Sequence, residues 1–311
     1  MRIAKNGGTQ AQPDTNSECD EIRAAIEADP RLLIGGHVSV AGGVHRAIER
    51  GEADGFTAIQ VFTRNPTQWQ SPPLSDEIAD AFRTARKHSI VQYIAAHDSY
   101  LINLATPDAE LREKSIGAML DEIDRAEALG IGEVVTHLGA HMGVGDDAGI
   151  ANLVASLNTI HDRRPESAVR IALETTAGQG TSLGYRFEHL AEVFDGVDAP
   201  ERLAACFDTC HAWVAGYDLG SDGGFDEVWE AFDRIVGIER LCCIHVNDAK
   251  RERGSRVDRH AHIGEGTIGE DAFRRLMRSD RLFSVPKIVE TPEAETHHRV
   301  NVARLVRFVH S

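Results

Sequence analysis

From Leu32 onward the chain alternates short apolar runs with longer segments of helical periodicity, and it does so eight times. The candidate strands are Leu33–Val38, Phe56–Phe62, Ile90–Ala96, Glu133–His137, Val169–Glu174, Leu203–Asp208, Leu241–Val246 and Val285–Glu290, each followed by a stretch able to form a helix. Such repetition is what consecutive βα units produce. Eight of them can close into a single (β/α)₈ TIM barrel, whereas an open doubly wound sheet usually has fewer strands and must protect its edges. The helical signal is clearest at Ser115–Leu129, where Ile116, Met119, Leu120, Ile123 and Ala126 share one face and Gly130 follows as a stop. The expected domain therefore spans residues 32–311. Residues 1–31, polar at the start with a short helix around Glu21–Ala28, read as a flexible N-terminal appendage.

Composition narrows the function. No stretch approaches the roughly 20 apolar residues that cross a bilayer, and the first residues lack the apolar run of a signal peptide, so a cytoplasmic protein without a membrane partner is expected. The five cysteines, Cys19, Cys206, Cys210, Cys242 and Cys243, are odd in number and mostly inside apolar segments. That suits reduced, packed thiols, with zinc at Cys206 and Cys210 as the minor alternative. A formal charge of −16 excludes a broad basic surface that coats nucleic acid, so any nucleic-acid contact must be local.

In a barrel of this kind the reactive groups sit at the C-terminal ends of the strands. Strand three ends at His97, four at His137, five at Glu174, six at Asp208, seven around His245 and eight at Glu290. Two positions earlier stand Ala95, Val135, Ala172, Cys206, Cys243 and Ile288. With the period of two along a strand, these smaller or apolar side chains fill the barrel and the polar ones converge one layer higher. Any one of these strand ends alone says little. Together they crowd carboxylates and imidazoles at one mouth, which needs a cation. His211, Asp258 and His260 add further donors, making nine His, Asp and Glu ligands, too many for one tetrahedral ion and typical of catalytic zinc or manganese. A cluster of two or three metals suits phosphate-ester hydrolysis.

The segments HDSYLINL (97–104), ETTAGQGTSLG (174–184), DTCHAWVAGYDL (208–219), HVNDAK (245–250) and GSRVDRHAHIGEG (254–266) closely resemble the endonuclease IV family, and the likeness runs from IGGHVSVAGG to the IVET of strand eight. The resemblance implies a monomeric enzyme with three Zn²⁺ per chain, Mn²⁺ being possible at one site. It implies action on double-stranded DNA with abasic or 3′-blocked lesions, with cleavage 5′ to the abasic nucleotide that leaves a 3′-hydroxyl and a 5′-deoxyribose phosphate. It implies one metal on His97, His137 and Glu174, a second on Glu174, Asp208, His245 and Glu290, and a third on His211, Asp258 and His260. Glu174 and Glu290 then act catalytically by orienting a hydroxide held between the first two ions, while the third ion stabilises the departing oxygen.

By the same resemblance Tyr100 and Leu101 form an apolar wedge that opens the duplex, aided by the low cost of rotating out a nucleotide without a base. Lys250 and Arg259, in a basic loop with Arg251, Arg253 and Arg256, supply backbone contacts. Two departures stand out. Thr67 occupies the place of an Arg that commonly joins the wedge, with Arg64 as the nearby substitute, and Leu138 replaces a usual Pro. Two rival readings are a single-metal sugar isomerase or epimerase using Glu174, Asp208, His245 and Glu290, and a DNA-damage binding protein without catalysis.

Overall fold

The computed structural model describes residues 15–310. Eight parallel strands close into the expected barrel. They are β1 (Ile34–His37), β2 (Ala58–Phe62), β3 (Tyr93–His97), β4 (Glu133–His137), β5 (Arg170–Glu174), β6 (Leu203–Asp208), β7 (Leu241–His245) and, closing against β1, β10 (Lys287–Val289). Between β7 and β10 a two-stranded hairpin, β8 (Asp248–Ala249) and β9 (His260–Ala261), is inserted at the barrel mouth. The outer ring comprises α2 (His45–Ala53), α3 (Asp76–Lys87), α4 (Ala109–Leu129), α5 (Asp146–Arg163), α6 (Phe187–Gly196), α8 (Asp222–Ile235), α9 (Glu270–Arg278) and α10 (Ala294–His310), with the short α7 (Thr209–Ala215) on the mouth after β6. Among the described residues no helix is long and apolar enough to cross a membrane.

Local chemistry sets the helix ends. The α4 helix begins at the carboxylate of Asp108, which accepts the N–H groups of Glu110 and Leu111, and ends at Gly130 in the left-handed region at φ 70°. Its buried face contains Ile116, Met119, Leu120, Ile123 and Ala126, as the periodicity predicts. The helix extends six residues ahead of Ser115, where the apolar periodicity is clearest, because the capping Asp sets the boundary.

The segment read as an appendage departs from expectation where it is described. Residues Thr15–Ala28 form helix α1, which docks on α10: Ile22 is fully buried, Glu18 pairs with Arg299 at 3.1 Å and Glu21 with Arg307 at 2.7 Å. Its partners lie at the far end of the sequence, beyond the reach of local patterns. Residues 1–14 lie outside the described residues.

Inside the barrel, Ala58, Ala95, Val135, Ala172, Cys206, Cys243 and Ile288 form one apolar layer. At the floor, the buried Lys287 donates through Nζ to the carbonyls of Leu282, Phe283 and Val285. All five cysteines are free and buried. Cys206 packs against Cys243 with sulfurs 3.5 Å apart, while Cys210 contacts the Arg259 carbonyl, so Cys206 and Cys210 do not meet as a zinc pair.

Candidate metal centre

Two residues beyond the apolar layer, the polar side chains converge. The strand register sets His137 beside Glu174 and Asp208 beside His245, at one level of the barrel. Asp208 has a second task as the N-cap of α7. Its Oδ1 accepts the His211 N–H at 2.7 Å, which fixes the imidazole three residues on, and its Oδ2 accepts the Asn247 amide at 2.7 Å. Glu290 lies one residue beyond β10, held by its N–H to Asn247 Oδ1 at 2.7 Å.

Asp258 and His260 reach the mouth through the β8–β9 insertion. Buried Asp248 braces that insertion by accepting the backbone N–H groups of Ala249, Gly264, Gly266 and Ile268. A Cβ at Gly266 would come within 2.4 Å of both Asp248 Oδ1 and the Ala249 carbonyl, so the glycine is required by close approach. Both HVNDAK and GEG thus brace the insertion that carries Asp258 and His260.

The nine candidate ligands lie in three of the groups able to hold a metal, two further groups bringing Cys206 and Cys243 to His245 and Cys210 to Asp208 and His260. His97, His137 and Glu174 form one; Glu174, Asp208, His245 and Glu290 form the next; His211, Asp258 and His260 form the last. Glu174 Oε2 faces His97 Nε2 and His137 Nε2, each at 3.3 Å, while its Oε1 faces His245 Nδ1 at 3.0 Å. One carboxylate therefore offers an oxygen to each of two groups. In the third, Asp258 lies 3.1 Å from His211 Nε2 and 3.4 Å from His260 Nε2.

The donors fit metal ions. Tetrahedral zinc with bonds of about 2.0–2.2 Å sets neighbouring ligand atoms roughly 3.4 Å apart, close to these separations. His260 Nε2 is buried without a hydrogen-bond partner, an orphan whose lone pair points among carboxylates. The set contains only imidazole and carboxylate, the mixture of catalytic sites.

Electrostatics agree. Burial opposes the charge on Glu174, but His245 and His137 hold its pKa well below the usual carboxylate range. Burial likewise opposes charge on His97, yet the hydrogen bond and charge of Glu174 lift its pKa to about 9. Asp258 is held at about 2 against burial by its hydrogen bond to His211 and by the charges of His211 and His260. Protons on the imidazoles and divalent cations are thus alternative ways to balance the same buried carboxylates.

Over the groups opens a cavity of about 280 Å³ lined by Phe62, His97, Tyr100, His137, His211, Asp258, Arg259, His260 and Glu290. Tyr100 is 69% exposed at its rim and Leu101 is half-buried beside it. Arg259 and Lys250 are exposed neighbours on the hairpin, joined by the Lys250 N–H to the Arg259 carbonyl at 2.9 Å. Arg253 instead pairs with Asp218 at 2.7 Å, and Arg256 covers the Tyr185 ring. Leu138 is fully buried.

Arg64 is a correction. Rather than reaching toward DNA, its side chain is 1% exposed, with Nε 2.7 Å from Glu122 Oε1 and Nη1 donating to the Trp69 carbonyl at 3.1 Å. A buried carboxylate on α4 claims the guanidinium, so it cannot replace an arginine at position 67. Thr67 is exposed and closes a turn on Asn65 Oδ1.

Sequence reasoning missed Gln60, Asn247 and Asp248, which hydrogen-bond to the candidate ligands or to the loop that carries them. One signal was available for Gln60: it stands two residues beyond Ala58, the same step that separates each inner-layer residue from its ligand.

A family model describing xylose isomerase-like TIM barrels matches residues 48–308. The chain is 47% identical over 273 residues to a probable endonuclease 4 of Chloroflexus aurantiacus, covering 87% of this chain and 96% of that protein. Among solved structures, an endonuclease IV from Thermus thermophilus is 36% identical with a TM-score of 0.76, covering 88% of this chain and 99% of that one. A D-tagatose 3-epimerase-like protein aligns with a TM-score of 0.68 at 20% identity, over 89% of this chain and 98% of that one, a likeness of fold alone. With identity of this order over nearly the full length of the endonuclease relatives, the chain belongs to the endonuclease IV family of xylose isomerase-like TIM barrels.

Proposed function

We propose that this enzyme is a DNA-repair phosphodiesterase that hydrolyses the backbone 5′ to abasic sites by means of a three-metal zinc centre. The observation that carries the proposal is the nine-ligand cluster at the barrel mouth, in which Glu174 serves two groups through separate oxygens. When bound, such ions generate hydroxide near neutral pH and stabilise the attacking and leaving oxygens of a phosphoryl displacement.

The protein's part is positioning and charge. Three divalent cations against the four carboxylates of Glu174, Asp208, Asp258 and Glu290 leave two positive charges, so a chain of formal charge −16 can still present a local anion site. Glu174 and Glu290 flank the first two groups and orient the attacking oxygen. Burial of Glu174, Asp208 and His245 keeps bulk water from screening them. Tyr100 and Leu101 stand at the rim, where an apolar wedge can enter the gap left by the missing base. The exposed Lys250 and Arg259 face the flanking phosphates.

A single-metal epimerase needs only Glu174, Asp208, His245 and Glu290, and leaves His97, His137, His211, Asp258 and His260 without a task. Elemental analysis of the purified protein separates the readings. Three ions per chain are expected, and one ion per chain would revive the epimerase.

A further inference from the structure

We propose that Gln60 is a positioning residue that fixes which nitrogen of His245 binds metal and holds Glu290 in the orientation of the second site. This rests on the three-metal reading above.

The imidazoles differ in the nitrogen they turn inward. His97, His211 and His260 each turn Nδ1 to a backbone carbonyl, those of Asp98 at 3.1 Å, Thr175 at 2.9 Å and Glu290 at 3.1 Å. The carbonyl can only accept, so Nδ1 carries the proton and Nε2 is free to ligate. His245 is reversed. Its Nδ1 faces Glu174 Oε1 at 3.0 Å and Glu290 Oε2 at 3.1 Å, and its Nε2 lies 2.8 Å from Gln60 Oε1.

The direction of the Gln60 amide follows from its other contacts. Glu290 Oε1, an acceptor, lies 2.6 Å from one amide group of Gln60, so that group must be the donating Nε2; its second hydrogen points to His37 Nδ1 at 3.1 Å. The carbonyl oxygen is then left for His245, which must place its proton on Nε2 and expose Nδ1 to metal. Gln60 is fully buried, and all these partners are side chains from different strands or strand ends. In the ring of side chains two residues above the apolar layer, six strands supply ligands and β2 supplies this amide. The outer nitrogen of His245 faces a side-chain amide, whereas those of His97, His211 and His260 face backbone carbonyls, with Asp98 Oδ1 also 3.5 Å from His97 Nδ1 and Glu174 Oε1 also 3.2 Å from His211 Nδ1. The His245 tautomer is thus the one that replacing an amide can alter.

The test uses the zinc-loaded protein. Long-range ¹⁵N–¹H correlation spectra of the wild type are expected to show one histidine protonated on Nε2 and ligating through Nδ1, assigned to His245 by its loss in His245→Gln. The reverse pattern at His245 would overturn the proposal without any variant. In Gln60→Leu, titration with a chelator should release one of three zinc ions at roughly 10–100-fold lower chelator concentration, the cost typical of lost outer partners of metal ligands. Gln60→Met serves if the leucine variant does not fold. Three ions released as in the wild type would overturn the proposal, whereas a wild type that never binds three would instead defeat the three-metal reading.

Discussion

The cluster on the strand ends and the rim above it are built by opposite rules. In the cluster, Glu174, Asp208 and His245 are fully buried, every carboxylate faces imidazoles, and residues such as Asn247 and Asp248 fix the parts by hydrogen bonds to backbone. At the rim, Tyr100, Lys250 and Arg259 are exposed. The contrast teaches where each kind of change is expected to act: the cluster holds geometry against the cost of buried charge, while the exposed rim is open to a partner and, on the proposed reading, meets DNA.

If that division is right, Glu174→Gln should show the largest effect. It removes the shared carboxylate, and turnover on an abasic duplex is expected to fall on the order of 10³-fold or more while DNA affinity, set at the rim, stays near normal. Steady-state kinetics with a parallel binding titration check this, and near-normal turnover would break the comparison. Arg64→Met comes next, and it tests the corrected placement of that residue. Leaving Glu122 buried and unpaired should lower unfolding stability by about 3–5 kcal/mol in denaturant titration, with no change in the salt dependence of DNA binding.

Rim changes should be smaller and should act on binding. Tyr100→Ala is expected to raise KM by the equivalent of about 1–3 kcal/mol, the range for a lost aromatic contact with bases, with kcat for bound substrate changed little. Arg259→Ala and Lys250→Ala should each lower the slope of log affinity against log salt by about 0.9, measured by binding at several salt concentrations. The smallest expected effect is a gain. Ser99 ties the Tyr100 turn to the Pro66 carbonyl at 2.7 Å, so position 67 adjoins the wedge, and Thr67→Arg should tighten binding by up to about fivefold, as an exposed charge contact does.

The sequence was most legible where periodicity carries chemistry. The barrel strands Glu133–His137 and Leu203–Asp208 match expectation residue for residue, because an apolar run ends there in a polar His or Asp. His97, His137, Glu174, Asp208, His211, His245, Asp258, His260 and Glu290, all at strand ends or in named motifs, lie near one another at the barrel mouth within groups able to hold a metal ion. What stayed hidden depends on contacts far apart in the chain. Arg64 reads as a free cation until α4 brings Glu122 to it across 58 residues, and α1 reads as an appendage until Arg299 and Arg307 meet it. Gln60 stayed hidden for a different reason: it is not itself a metal donor, and an amide that sets a tautomer has no motif of its own.

The most direct measurement of the three-metal phosphodiesterase reading is incubation of the protein with an end-labelled duplex containing one abasic-site analogue, with and without a chelator. The expected product is a single nick immediately 5′ to the lesion that leaves an extendable 3′-hydroxyl, is lost on chelation and returns with zinc. A lesion strand that stays intact though bound, or one cut equally well after chelation, would contradict it.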